Sequence, residues 1–317
     1  MRVKPIIGRV GGKSRLAPWI IEHLSRFQWS IFVEPFCGSG AVYFRLVSEG
    51  IPEQIRARGH HPRFVLNDAD SRIVQLFRTC RDYPELLAHA VKYTPYSREE
   101  HRLAQQGIDG IEDEIEQARR YLVDNIQSFS KVPGNAWSSA RQTLAHTKDE
   151  NGKHIGGGQA DNKCMWDTLP TRILTATDHL KRCYIENDDA VKVIERWATP
   201  HTAIYADPPY VGLEAYYHHN AKAGKDDSLD LHYRLASALN TVEASAVIVS
   251  YYPCELVDEL YPEETWERHY RETVASSAGI TRQSKSKTRP KRTELLLVRK
   301  RQGDAPKVNL SGQMGLF

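Results

Sequence analysis

The sequence lacks the marks of several large protein classes. It has five cysteines in 317 residues, an odd count with no C-x-x-C pair. That argues against a disulfide framework and for a reducing compartment. No His/Cys cluster has zinc-site spacing, so no metal is expected. The longest apolar stretches, such as Ala246-Val247-Ile248-Val249, are far too short to cross a bilayer. Met1-Arg2-Val3-Lys4 leads into no long apolar run, so no secretory leader is expected and a cytoplasmic location is. There is no internal repeat. The formal charge is only +3, so bulk electrostatics alone gives little pull towards a polyanion.

What is present is an ordinary globular composition, 40% hydrophobic and 26% charged, on a chain long enough to bury a real core. Its charge is unevenly spread. Between Ile280 and Arg301 there are nine Lys/Arg residues against one acid, Glu294. Such a concentration is either a phosphate-contacting surface or a solvated loop.

Leu16, Ile20, Ile21 and Leu24 recur at helical spacing. A strand, Ile31 to Val33, then runs into Glu34-Pro35-Phe36-Cys37-Gly38-Ser39-Gly40, with a helix over Ala41 to Leu46. A second strand, Phe64 to Leu66, closes on Asn67-Asp68, and Ile73, Val74 and Phe77 mark the next helix. Strand, glycine turn, helix and strand ending in an acid make the first unit of a doubly wound α/β sheet. The pattern then lapses. One helix (Ile115, Ala118, Leu122, Ile126) is followed by an irregular stretch from Lys131 to Leu169, with Asn151-Gly152 as a hairpin signal and the run Gly156-Gly157-Gly158. This region, 81–177, reads as an inserted domain of helix and loop. Alternation resumes with strands Cys183–Ile185, Ala203–Ala206, Ala246–Val249 and Glu294–Val298, separated by helices at Val191–Trp197 and around Leu231 to Leu239. The core is thus expected at 1–80 and 178–301, with a tail at 302–317.

Asp207-Pro208-Pro209-Tyr210 ends the second of those strands. Two prolines stop the strand and hold the backbone stiffly. An exocyclic amine of a nucleobase is a poor nucleophile because its lone pair is delocalised into the ring. If Asp207 accepts one of its hydrogens and the Pro208 carbonyl the other, the nitrogen is drawn towards tetrahedral geometry and the lone pair is freed. Tyr210 then offers a ring face to a base taken out of the duplex. Gly38-Ser39-Gly40 lacks the third glycine of the dinucleotide fingerprint, which counts against a nicotinamide cofactor. Paired with Asp68, it suits a nucleoside whose ribose hydroxyls need an acceptor. Gly8 to Ser14 misses the phosphate-binding loop pattern by one residue, Ile7 standing where glycine is required. Pro253-Cys254 raises thiolate attack on a cytosine carbon, but it lies late in the chain, and both Cys254 and Cys37 are expected to be structural.

Gly11-Gly12-Lys13, Glu34 to Gly40, Leu66-Asn67-Asp68 and Asp207 to Tyr210, in that order, resemble the Dam-like adenine-specific DNA methyltransferases (D12 class, alpha group). The likeness covers roughly residues 5–80 and 170–300. It implies a Rossmann-like S-adenosylmethionine-dependent methyltransferase core, a target-recognition domain inserted in it, and methylation of a flipped adenine in double-stranded DNA by a bacterial or phage-encoded enzyme. Gly12, Lys13, Glu34, Pro35, Phe36, Gly38, Gly40, Asp68, Asn187 and Asp207 would hold the cofactor. Arg141, Lys148, Arg289, Lys291 and Arg292 would contact DNA. Asp at the first catalytic position favours adenine; a cytosine amino-methyltransferase, an RNA-modifying enzyme and a DNA-binding module with a dead site remain as alternatives. Gln313-Met314-Gly315-Leu316-Phe317 resembles the bacterial sliding-clamp-binding peptide, with Gln313, Leu316 and Phe317 as its anchors.

Overall fold

Short runs of branched and aromatic residues form one seven-stranded sheet. The structure, a computed structural model, describes residues 3–9, 11–107, 110–131, 133–138, 162–212, 225–274 and 291–300. The strands are β1 (Ile31–Glu34), β2 (Arg63–Asn67), β3 (Cys183–Glu186), β4 (Thr202–Ala206), β5 (Ala246–Tyr251), β6 (Trp266–Val274) and β7 (Lys291–Arg299), in the spatial order β3-β2-β1-β4-β5-β7-β6. The first five are parallel; β7 runs antiparallel to β5, and β6 antiparallel to β7.

Every residue of β1, β4 and β5 is buried, as parallel strands covered on both faces require. Side chains alternate between two cores. Phe32, Phe64, Leu66, Tyr205 and Ile248 enter one, while Val33, Val65, Ile204, Val247 and Val249 enter the other. The first core is covered by α1 (Ala17–Leu24), α2 (Ala41–Ser48), α3 (Ile51–Ala57), α4 (Ser71–Asp82), α5 (Pro84–Lys92), α6 (Arg98–Gln105), α7 (Glu114–Gln127) and α8 (Asn162–Leu180). The second lies under α9 (Ala190–Trp197), α10 (Lys225–Thr241) and α11 (Glu255–Leu260). Asp70, Asp113 and Asp189 start α4, α7 and α9, their carboxylates accepting from first-turn amides that would otherwise go unpaired.

Several segments depart from expectation: α3, α5, α6 and α11 are helices that the periodicity did not mark, and two further departures have a clear physical reason. Residues 162–169, expected to be irregular, form the first half of α8, which carries Pro170 inside it. Proline removes a helical donor, but Met165, Trp166, Leu169 and Ile173 are all buried. The Trp166 indole also donates to the Thr94 carbonyl at 3.0 Å, so packing outweighs local preference. The strand β6 is an unanticipated element. Among the described residues it pairs with β7 alone, from Trp266↔Arg299 to Val274↔Lys291, and its charges, Glu267, Arg268, Arg271 and Glu272, suit an edge strand.

Among the described residues, no helix is long and apolar enough to cross a membrane. The strand order reverses between β1 and β4, and in open sheets of this kind ligands bind beyond the carboxyl ends of the strands at such a reversal.

Candidate active site

Because β1 and β4 are parallel neighbours, from Ile31↔Thr202 to Val33↔Ile204, the loops leaving them emerge side by side. Between them lies a cleft lined by Arg9 and Gly11 to Lys13, by Glu34 and Phe36 to Ser39, and by Ala41, Asp68, Ala69, Asp207 and Pro209. It unites segments that are far apart in sequence.

The glycine loop is shaped by its backbone. Gly38 and Gly40 have φ of 51° and 65°, the left-handed region that glycine enters without penalty. A Cβ on Gly40 would lie 3.2 Å from the Phe44 ring. Asp68 organises the loop from the end of β2. Its Oδ2 accepts from the Gly38 amide at 2.8 Å and its Oδ1 from the Asp70 amide at 2.9 Å, with the Arg9 guanidinium 3.7 Å away. Asn67 donates to the Pro35 carbonyl at 2.9 Å and to that of Asp188 at 3.1 Å, tying three strand ends together. Asn187 is not part of the cleft lining; its amide donates to the Asp68 carbonyl at 2.8 Å. Gly40 also lies behind the lining, as the residue that starts α2.

Lys13 sits in a 3-10 turn, Lys13–Arg15, and is only 5% exposed. Its ammonium meets Asp207 Oδ1 at 2.9 Å, donates to the Gly11 carbonyl at 3.1 Å and lies 4.8 Å from the Tyr210 ring centroid. Burial pulls the Lys13 pKa down, but the charges of Asp207 and Glu294 outweigh it and the group stays well protonated. Asp207 is drawn the other way. Burial holds its carboxyl above the usual range, and Lys13 opposes that rise. Glu34 is buried more deeply, accepting from the Tyr43 amide at 3.3 Å. Burial, reinforced by the charges of Asp207 and Asp68, pushes its pKa well up.

Tyr210 departs from the expected open stacking face. Its ring is 5% exposed, meets Tyr252 edge to face at 4.5 Å, and its hydroxyl donates to Glu294 Oε2 at 2.8 Å. The long aromatic packs in the second core because β7 supplies a buried acceptor there. In this arrangement the ring face is not open to solvent. Phe36, partly buried, is the aromatic that lines the cleft.

Two cysteine chemistries can be weighed directly. Burial pushes the Cys37 thiol well up, leaving it unreactive. Cys254 packs on the second core and takes no part in the cleft lining. Among the described residues no group of three metal-ligating side chains occurs. Lys291 pairs with Glu272 at 2.8 Å, and Arg292 donates to the Tyr252 hydroxyl at 3.2 Å; both are exposed. Arg141, Lys148, Arg289, Gln313, Leu316 and Phe317 lie outside the described residues.

Arg9, Ala41 and Ala69 line the cleft without having been anticipated, and so do Cys37 and Ser39, which lie inside the glycine-loop motif but were not assigned to the cofactor. Nothing in the local sequence of Arg9 or Ala69 singles them out. Glu294 did leave a signal: it is the one acid in a basic stretch and heads an otherwise apolar strand.

A family model for the D12 class N6 adenine-specific DNA methyltransferases matches residues 10–276. The chain belongs to this family. It is also similar to the Type II methyltransferase M1.LlaDCHI of Lactococcus lactis subsp. cremoris, with 23% identity over 304 residues that cover 94% of this chain and 95% of the relative. The protein is therefore an adenine-specific DNA methyltransferase, its substrate is DNA, and S-adenosylmethionine is the general methyl donor of such enzymes. The cytosine and dead-site alternatives give way to this assignment.

Proposed function

We propose that this methyltransferase holds S-adenosylmethionine in the cleft between β1 and β4 and uses Asp207 to Tyr210 to engage the amino group of an adenine turned out of duplex DNA. The observation that carries the reading is that Asp207 and Pro209 line the same cleft as the glycine loop and Asp68. The cleft fits the donor chemically. Its lining sets the carboxyl groups of Glu34, Asp68 and Asp207 beside the cations Arg9 and Lys13, donors and acceptors for a ligand that carries both an ammonium and a carboxylate. The turn at Gly38 lets backbone approach a nucleoside closely. Asp68 would accept from ribose hydroxyls, Phe36 would cover the adenine ring, and Gly12 and Glu34 would face the methionine end. When bound, the donor supplies an electrophilic methyl group.

Asp207 and the Pro208 carbonyl would accept the two hydrogens of the adenine amino group, and Lys13 keeps the Asp207 carboxylate charged while they do so. The double proline fixes both acceptors on one rigid segment, which is what orienting a single nitrogen demands. Asp207→Ala should lower turnover by about three orders of magnitude or more while donor binding by calorimetry persists. Wild-type turnover in that variant removes the assignment.

Residues 81–177 are proposed as the target-recognition insertion. Arg141, Lys148, Arg289, Lys291 and Arg292 are proposed to contact duplex phosphates, which makes binding fall steeply with added salt. The peptide Gln313 to Phe317 is proposed to dock on a bacterial sliding clamp, with the enzyme acting on DNA in the cytoplasm.

A further inference from the structure

Two residues of β7 each hold one tyrosine: Tyr210, in the segment that carries Asp207, and Tyr252, packed against it. Arg292 donates to the Tyr252 hydroxyl at 3.2 Å, with its guanidinium 5.5 Å from the ring centroid. Glu294 accepts from the Tyr210 hydroxyl at 2.8 Å, and both side chains are buried. The two rings meet at 4.5 Å and 80°. A carboxylate is costly to bury, and a neutral side chain of similar volume would fill this space without that cost. Here the acid meets two partners at once: the Tyr210 hydroxyl, and the Lys13 ammonium within electrostatic reach.

We propose that Glu294 is a positioning residue for methyl transfer, anchoring the Tyr210 hydroxyl and thereby fixing the segment that carries Asp207 and Pro208. The inference rests on the reading of Asp207 to Tyr210 given above. Tyr210 is covalently part of that rigid segment. Restraining its far end at the hydroxyl, with the prolines restraining the backbone, leaves the segment little freedom to rotate. Geometry lost here affects the chemical step more than donor binding, because Glu294 does not line the cleft.

The test measures labelled-methyl transfer to duplex DNA, with kcat and the donor KM determined separately and the melting transition recorded for each variant. Glu294→Leu is expected to lower kcat on the order of 100-fold, since misplacement by about 1 Å has that scale of effect, with donor KM changed by less than about threefold. Glu294→Gln retains an acceptor for the hydroxyl and is expected to recover about tenfold of that loss. Tyr210→Phe should resemble Glu294→Leu, and the two together should cost little more than either alone. Parental kcat in Glu294→Leu overturns the proposal. So does equal impairment of the Gln and Leu variants, or losses that multiply in the double variant. Should Glu294→Leu fail to fold, Glu294→Gln and Tyr210→Phe are compared singly and combined, where multiplying losses again overturn it. Asp207→Ala is run alongside. If it stays active, the site reading itself fails; if it is inactive while Glu294→Leu is not, only the present inference fails.

Discussion

Asp207 has to stay ionised in a place where burial works against ionisation. The groups facing it are Lys13 from the N-terminal turn, Tyr205 on β4, Glu34 at the end of β1, Tyr210 in its own loop and Glu294 on β7. Lys13 is the cation among them, at 2.9 Å. In the proposed mechanism the carboxylate is the form that accepts from the amino group, so activity would be present above the Asp207 pKa and lost as pH falls through it. That pKa already lies above the usual aspartate range because of burial, and removing the opposing cation raises it further. Lys13→Met should therefore move the acid limb of the kcat profile to higher pH, with a greater loss at pH 6 than at pH 8. A limb that stays in place or moves to lower pH contradicts this account of Lys13.

At the scale of elements, the turn between β1 and α2 depends on glycine at Gly40. Its φ of 65° is left-handed and its Cβ position is crowded by Phe44. Gly40→Ala should destabilise the fold by about 1–2 kcal/mol from the backbone alone, measured as a lower denaturant midpoint. An unchanged midpoint would mean that the turn can relax. The elements that position the site were legible because β1, β4 and β5 are buried on both faces and show as short apolar runs, each closed by a glycine, proline or acid. The elements missed were those whose stability comes from elsewhere. The strand β6 exists because β7 pairs with it, and α8 survives Pro170 because it packs on α5 and α7. The same limit applied within the site. Asp207 to Tyr210, Gly38 and Asp68 could be found from motifs. The pairing of Lys13 with Asp207 and of Tyr210 with Glu294 joins remote segments, and local spacing carries no record of it.

Over the whole molecule, the proposed chemistry is concentrated at the switch point, while the residues proposed to contact DNA and clamp lie, in sequence, within the proposed insertion and from Arg289 onward. The two sets of tasks should separate cleanly. A chain ending at Ser311 is expected to methylate duplex DNA at the full-length rate and to lose retention on immobilised clamp. Equal retention of both chains removes the docking proposal. Slower methylation by the shorter chain would mean that the last residues support the core as well.

The site draws on Lys13 near one end of the chain and, through the Tyr210 hydroxyl, on Glu294 near the other. During translation, then, the glycine loop and the Asp-Pro-Pro-Tyr segment leave the ribosome well before the strand that completes their surroundings. A polypeptide that stops before β7 would lack both the strand that pairs with β5 and the anchor proposed for Tyr210.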